Sequence, residues 1–290
     1  MMINIWGEEY DIATTTELYL SCKNLTEMPE SIRMLTNLEI LYLCGNKLTS
    51  LNESIGSLSN LKKLSLSYNN LTSLPESIGS LSNLKELRLS NNKLTYLPES
   101  IGMLSNLEYL NLNNNDLTSL TESIKSLSNL KKLWLSNNKL TSLPESIQSL
   151  SNLKELWLSN NNLTSLWVDK KPCFLSSPMV MNRKSETFSI HAAPESMGSL
   201  SNLRELYLNK NNLTILPESI ATLIKTKDLG LDESSYEINN LSMDCHTLVL
   251  TSIKNNITNL PPILRTLYLK SDIDVDMIKL PYGCDIIRFW

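Results

Sequence analysis

The chain has 290 residues, with 26 Lys and Arg against 30 Asp and Glu and a formal net charge of −4. That balance, with a pI near 5.4, disfavours nucleic acid as the main partner, because affinity for a phosphate backbone needs clustered Lys and Arg. The 8 glycines argue against Gly-rich phosphate loops, and five scattered cysteines (Cys22, Cys44, Cys173, Cys245, Cys284) form no paired framework and no CxxC metal clip.

Residues 1–14 lack the basic and apolar regions of a signal peptide. Nowhere does an apolar run approach the roughly 18 residues of a membrane span. We therefore expect no membrane span and a reducing, intracellular and cytoplasmic setting. The opening segment is expected to act as an N-terminal cap, with Ile3, Ile5, Trp6 and Ile12 laid over the first structural unit. An exposed end would otherwise leave core uncovered.

Residues 15–166 repeat themselves. The stretch from Leu61 reads LKKLSLSYNNLTSLPESIGSLSN and the next, from Leu84, reads LKELRLSNNKLTYLPESIGMLSN. Equivalent leucines stand at 38, 61, 84, 107, 130 and 153, each step being 23 residues. Such periodicity marks a solenoid. Within a unit, Leu64 and Leu66 have the period of two that puts them on one face of a strand. Successive strands then stack in parallel, about 4.8 Å apart. Asn69 and its copies Asn46, Asn92, Asn115, Asn138, Asn161 and Asn211 follow the strand where the chain turns inward. A buried turn leaves N–H and C=O groups wanting partners, and an inward amide can serve both, so these side chains are expected to form a ladder. Leu71 and Leu74 return to the core, Pro75 is placed at the first position of a short helix, and Ile78 and Leu81 give that helix an apolar stripe. Each unit offers about seven apolar side chains worth roughly 1.5–3 kcal/mol apiece when buried, none of which can be buried without a neighbouring unit. The recurring Asn-x-Thr sequons, as at Asn24 and Asn70, are by-products of the repeat.

The pattern LxxLxLxxNxLTxLPxxIxxLxN resembles the intracellular leucine-rich repeat proteins of the Ras-group type, over residues 15–166 and 194–225. That resemblance implies an α/β leucine-rich repeat solenoid, with a curved parallel sheet on the concave side and short helices or 3-10 turns on the convex side. It also implies a protein partner, a small GTPase or a signalling complex.

After Leu166 the pattern fails. Residues 167–193 lack the L-x-L and Asn signals, since Arg183, Ser185 and Phe188 fall where those should be. This stretch is either a degenerate repeat or an inserted loop. The 23-residue repeat resumes over 194–225. From 226 to 290 it shortens: Leu229, Leu248 and Leu267 are 19 apart, and the last step reads as 20, matching Leu267 and Leu269 with Ile287 and Phe289. These shorter units resemble the LPxxLxxLxL repeats of bacterial effectors and other microbial repeat proteins. The resemblance implies extended outer segments without a full helical turn. Ile287, Phe289 and Trp290 are expected to finish the array. Bacterial effectors of this kind can carry a ubiquitin-ligase domain after the repeats; with the chain ending at Trp290, none is expected here.

No catalytic chemistry stands out. His191 and His246 have no partner at ligand spacing, and HExxH, GxSxG and Walker-type patterns are absent from the sequence. Cys173 has nothing beside it to activate a thiolate. Glu76, Glu99, Glu122 and Glu145 read as favourable charges at helix starts. We expect no enzyme activity, cofactor or metal. The informative positions are the side chains between core leucines, which point into the concave face. One column reads Tyr19, Tyr42, Ser65, Arg88, Asn111, Trp134, Trp157, Tyr207, and the column two residues earlier reads Glu17, Ile40, Lys63, Glu86, Tyr109, Lys132, Glu155, Glu205. Trp, Tyr and Arg are the residue types that anchor protein interfaces. Tyr42, Arg88, Tyr109, Lys132, Trp134, Glu155, Trp157 and Tyr207 are thus the candidate partner-binding residues. Aromatic stacking on a solvated sheet, or a carbohydrate or other small ligand on the tryptophans, are the other readings. The function expected is a protein-interaction module or scaffold. The alternative is a structural or accessory repeat protein without a dedicated concave-face ligand.

Overall fold

The computed structural model describes residues 1–164, 200, 202–208, 210–212, 228–231, 247–250, 260, 264–271 and 273–289. The chain begins with an antiparallel hairpin, β1 (Met2–Ile5) and β2 (Glu8–Asp11), closed by Trp6 and Gly7. Both loop residues have positive φ, 49° and 89°, as a two-residue loop matched to strand twist requires. Ile3 and Ile5 are buried in the core, and Trp6, Tyr10 and Ile12 pack partly against it.

Among the described residues, twelve parallel strands follow in strict chain order within one sheet. The regular ones are β3 (Glu17–Tyr19), β4 (Ile40–Tyr42), β5 (Lys63–Ser65), β6 (Glu86–Arg88), β7 (Tyr109–Asn111), β8 (Lys132–Trp134), β9 (Glu155–Trp157) and β10 (Glu205–Tyr207). From β3 to β9 the register pairs residues 23 apart, as with Leu64 and Leu87. The inward leucines are fully shielded: Leu87, Leu89, Leu94, Leu104 and Leu107 are all at 0% exposure. Between β3 and β9 each unit returns along the convex side through a five-residue 3-10 turn, such as Glu76–Ser80. In that turn Ile78 is buried, and the Leu81 N–H closes on the Ile78 carbonyl at 3.2 Å. Pro75 lies one position earlier than the sequence suggests: it is the extended N-cap residue (φ −72°, ψ 154°), and the turn starts at Glu76. The glutamates also act on a neighbour. Glu53 accepts from the Ser77 N–H at 3.1 Å, and Glu76 from the Ser100 N–H at 3.3 Å, each reaching the next unit's turn.

The inward asparagines form the expected ladder. Asn92, buried like its copies, donates to the Leu66 and Leu89 carbonyls at 3.0 Å each and accepts from the Leu71 N–H at 3.0 Å. It thereby satisfies groups in its own turn and in the preceding unit. A second ladder went unread in the sequence. Asn37, Asn60, Asn83, Asn106, Asn129, Asn152 and Asn202 each donate to a backbone carbonyl of the preceding unit, as Asn83 does to Ser59 at 2.9 Å. Its signal is the final Asn of the repeat pattern, which lies outside the apolar spacing that organises the unit.

The residue before each inward asparagine has a left-handed backbone: Gly45, Tyr68, Asn91, Asn114, Asn137, Asn160 and Lys210; Cys22, at the equivalent position of the first unit, precedes Lys23 and has it too. Asn and Gly tolerate that region, whereas a bulky side chain there costs roughly 1–2 kcal/mol. Tyr68 holds φ at 57° and is 63% exposed, so little burial offsets the strain. Tyr68→Asn is expected to stabilise the fold by about 1 kcal/mol, read as a higher thermal midpoint; a lower midpoint would contradict the strain argument.

β9 pairs directly with β10, Glu155 opposite Glu205 and Trp157 opposite Tyr207, an offset of 50 residues. Asn202 still donates to the Ser151 carbonyl and Asn211 to the Leu158 carbonyl, so the two units touch as ordinary neighbours with no strand between them. Residues 167–193, with Cys173, His191 and the Arg183–Phe188 positions, lie outside the described residues, as do His246, Cys245 and Trp290.

The array continues through β11 (Asp228–Leu231), β12 (Thr247–Leu250), β13 (Thr266–Lys270) and β14 (Asp285–Phe289). Here pairing steps by 19: Leu229 with Leu248, Leu248 with Leu267, and Leu267 with Ile286. The final step is therefore not 20, and Ile287 does not take the place of a core leucine. Ile286 packs against the core, while Ile287 is 44% exposed. A one-residue slip reverses the face of every side chain. Between β13 and β14 the outer side carries a three-residue 3-10 turn, Val275–Met277, so a short unit does hold a turn there, only a reduced one. Among the described residues no helix is long and apolar enough to cross a membrane.

Candidate functional site

The alternation of each three-residue strand buries its central leucine and turns the two flanking side chains to the concave face. On β6 to β10 these flanking positions assemble a continuous row. The Arg88 guanidinium lies 5.7 Å from the centre of the Tyr109 ring, within cation–π range. Tyr109 meets Trp134 edge-on at 5.0 Å, Trp134 stacks on Trp157 at 4.1 Å and 7°, and Trp157 meets Tyr207 edge-on at 5.5 Å. The tryptophans that the repeat placed side by side are thus in face-to-face contact, with Tyr109 diagonal to them.

The neighbouring column anchors the indoles. Trp134 Nε1 donates to Glu155 at 3.1 Å, and Trp157 Nε1 donates to Glu205 at 3.3 Å. Lys132 forms an ion pair with Glu155 at 2.6 Å, and Arg88 pairs with Glu86. Asn111 donates to the Tyr109 hydroxyl at 3.0 Å. Burial pushes the Tyr109 phenol up, partly opposed by the Asn111 bond. Beside the row, Lys131 bonds Glu108 and holds that carboxyl below its usual range.

Seven of the eight candidate residues, Arg88, Tyr109, Lys132, Trp134, Glu155, Trp157 and Tyr207, are brought together. Tyr42 is not among them. It pairs edge-on with Tyr19 at 5.3 Å on β3 and β4, and Lys63 and Ser65 on β5 lie between it and the row. Glu205 and Asn111, absent from the candidates, belong to the cluster. Their signal was available, since each shares a concave column with a candidate, but the need of an indole N–H for an acceptor had not been used to choose between them.

Each indole has one face on the other, and a tyrosine ring packs roughly perpendicular to each of them. The indole–indole stack closes one face of each tryptophan to a sugar or planar ligand that would bind by stacking. What remains is a rigid apolar ridge with a charged and polar rim, the composition of an interface centre. Among the described residues no group of three or more His, Cys, Asp or Glu is placed to hold a metal ion.

Comparison with known proteins agrees with the architecture. Family models match residues 75–170 (leucine-rich repeat region), 13–71 (leucine rich repeat) and 202–223 (leucine rich repeat). A search of curated proteins gives no match. Among solved structures, the plant peptide hormone receptor RGFR1 in complex with RGF2 is 28% identical, with a TM-score of 0.65 over 88% of this chain and 40% of the receptor chain. The functional domain of InlJ from Listeria monocytogenes is 23% identical, with a TM-score of 0.65 over 94% of this chain and 54% of that one. Internalin C2 from Listeria monocytogenes is 23% identical, with a TM-score of 0.59 over 76% of this chain and 82% of that one. The chain therefore spans about half of the InlJ structure and less of the receptor. Taken with the 23-residue rungs and the asparagine ladder, these matches place the chain in the leucine-rich repeat family.

Proposed function

We propose that the chain is a protein-interaction module or scaffold that binds a protein partner through its concave face, at the row running from Arg88 to Tyr207. The observation that carries this reading is the pre-ordered Trp134–Trp157 stack between Tyr109 and Tyr207, since rigid aromatic anchors lose little entropy when a partner docks. The solved receptor that this chain resembles is itself in complex with a peptide hormone, which is consistent with a polypeptide ligand. A small GTPase or signalling complex follows from the resemblance to Ras-group repeats. An intracellular setting accords with Cys22, Cys44 and Cys284 being free thiols. Binding rather than catalysis is the activity proposed.

A second reading has its own observation: the aromatic faces satisfy one another, as they would in an accessory array with no concave-face ligand. Affinity capture from the native cell, with the unmodified chain and a Trp134→Ala/Trp157→Ala variant side by side, separates the two. The binding reading expects a partner retained by the first and lost by the second. Retention by both, with the variant folded, would sink the concave site, and no partner for either would favour the accessory array.

A further inference from the structure

A column of charged side chains stands one residue ahead of the strands from β4 to β10. In its first part every cation has a carboxylate one rung away. Lys62 pairs with Glu39 at 2.8 Å. Glu108 bonds Lys131, and the charge of Lys85 acts on the same carboxyl. The last two positions break that rule. The Lys154 N–H donates to the Lys131 carbonyl at 2.7 Å, and the Arg204 N–H to the Lys154 carbonyl at 2.8 Å, so three cations occupy consecutive rungs. Lys131 has its carboxylate, but among the described residues no ion pair joins Lys154 or Arg204. Arg204 is exposed and Lys154 half-buried. Stacked like charges repel, and the chain as a whole is acidic, with a net charge of −4. The positive surplus is therefore local, and it lies on the rungs of β8 to β10 that carry the stacked tryptophans.

The spacing sets the dimensions of a ligand. Lys131 precedes Trp134 by three residues, as Lys154 precedes Trp157 and Arg204 precedes Tyr207. At about 3.3 Å per residue, the cations lie about 10 Å along the strands from the aromatic ridge. An extended polypeptide covers that distance with an apolar side chain and a carboxylate about three residues apart. A polyphosphate strand fits less well. Glu155 and Glu205 lie between the cations and the ridge, where they would repel successive phosphates but attract the N–H groups of a peptide.

We propose that Lys154 and Arg204, with Lys131, form a cationic ledge that selects an acidic polypeptide segment, one carrying Asp or Glu near an apolar residue that seats on the Trp134–Trp157 ridge. The seat on the ridge rests on the concave-face reading above, whereas the charge preference is carried by the ledge. The test is selection from a random peptide display library by the unmodified chain, by Lys154→Glu/Arg204→Glu and by Trp134→Ala/Trp157→Ala. The unmodified chain should enrich peptides with Asp or Glu within about three residues of an apolar side chain. A selected peptide, synthesised, should bind Lys154→Gln/Arg204→Gln about tenfold more weakly, and the difference should shrink at high salt. The glutamate variant should lose the acidic preference. Selected peptides without an acidic excess, the same peptides from the unmodified chain and the glutamate variant, or no enrichment at all would overturn the ledge. So would tighter binding of a single-stranded oligothymidylate than of the selected peptides. Acidic peptides enriched equally by the tryptophan variant would sustain the ledge and sink the concave row. Uncharged peptides lost only in the tryptophan variant would do the reverse, so the two failures are distinct.

Discussion

Asn92→Leu is expected to lower folding stability by at least ~3 kcal/mol, because three buried backbone groups lose their partners at ~1–3 kcal/mol each. Those groups are the Leu66 and Leu89 carbonyls and the Leu71 N–H. Leucine keeps the branched skeleton of asparagine but is larger, so no cavity is left and the loss combines missing hydrogen bonds with some overpacking. Because each unit contacts only its neighbours, the damage should centre on the stretch from Leu66 to Leu94 and appear there as faster amide exchange, together with a lower urea midpoint. The outer ladder supplies the control. Asn83→Ala removes one exposed bond to Ser59, and its cost is expected near ~1 kcal/mol. Equal midpoints for the two variants would show that the inward ladder is not what secures the turns.

The second large effect concerns binding. Interface tryptophans at the centre of a patch commonly contribute ~2 kcal/mol or more, roughly 30-fold in affinity each. Trp134→Ala/Trp157→Ala is therefore expected to weaken a partner captured by the unmodified chain by at least ~100-fold, the two effects being less than additive because the rings touch. The fold should persist, since the core leucines beneath, Leu133 and Leu156, face the other way and are 0% and 2% exposed. Loss of the indole pair itself should cost ~0.5–1.5 kcal/mol beyond burial. Titration calorimetry with the captured partner and a thermal melt of the variant separate these effects. An affinity within a few-fold of the unmodified chain, with the melt intact, would remove the row from the interface.

Much of the molecule was legible because the repeat imposes two short-range rules. Period two across Leu64 and Leu66 set the strand and its buried face, and the 23-residue step set which side chains would be neighbours across strands, hence Trp134 beside Trp157. The inward asparagines were legible for the same reason, as a polar residue recurring amid core positions needs backbone partners. Where spacing carried less information the reading slipped. In β14 both Ile286 and Ile287 are apolar, so composition could not choose the face, and the hydrogen-bonded register with Leu267 chose Ile286. Pro75 suits either the last extended residue or the first helical one, and the turn's closure at Ile78 decided for the former.

The sequence by itself determined the repeat, its leucine core and the columns of side chains on each face, because these follow from periodicity along a stack in which only neighbours touch. Only the tertiary structure decided how those columns meet. It joined β9 directly to β10, bringing Tyr207 onto Trp157 across a separation of 50 residues. It also turned the indoles face to face and gave their N–H groups to Glu155 and Glu205. Ring orientation and donor choice depend on rung spacing and curvature, which are summed over many contacts and leave no mark at any single position.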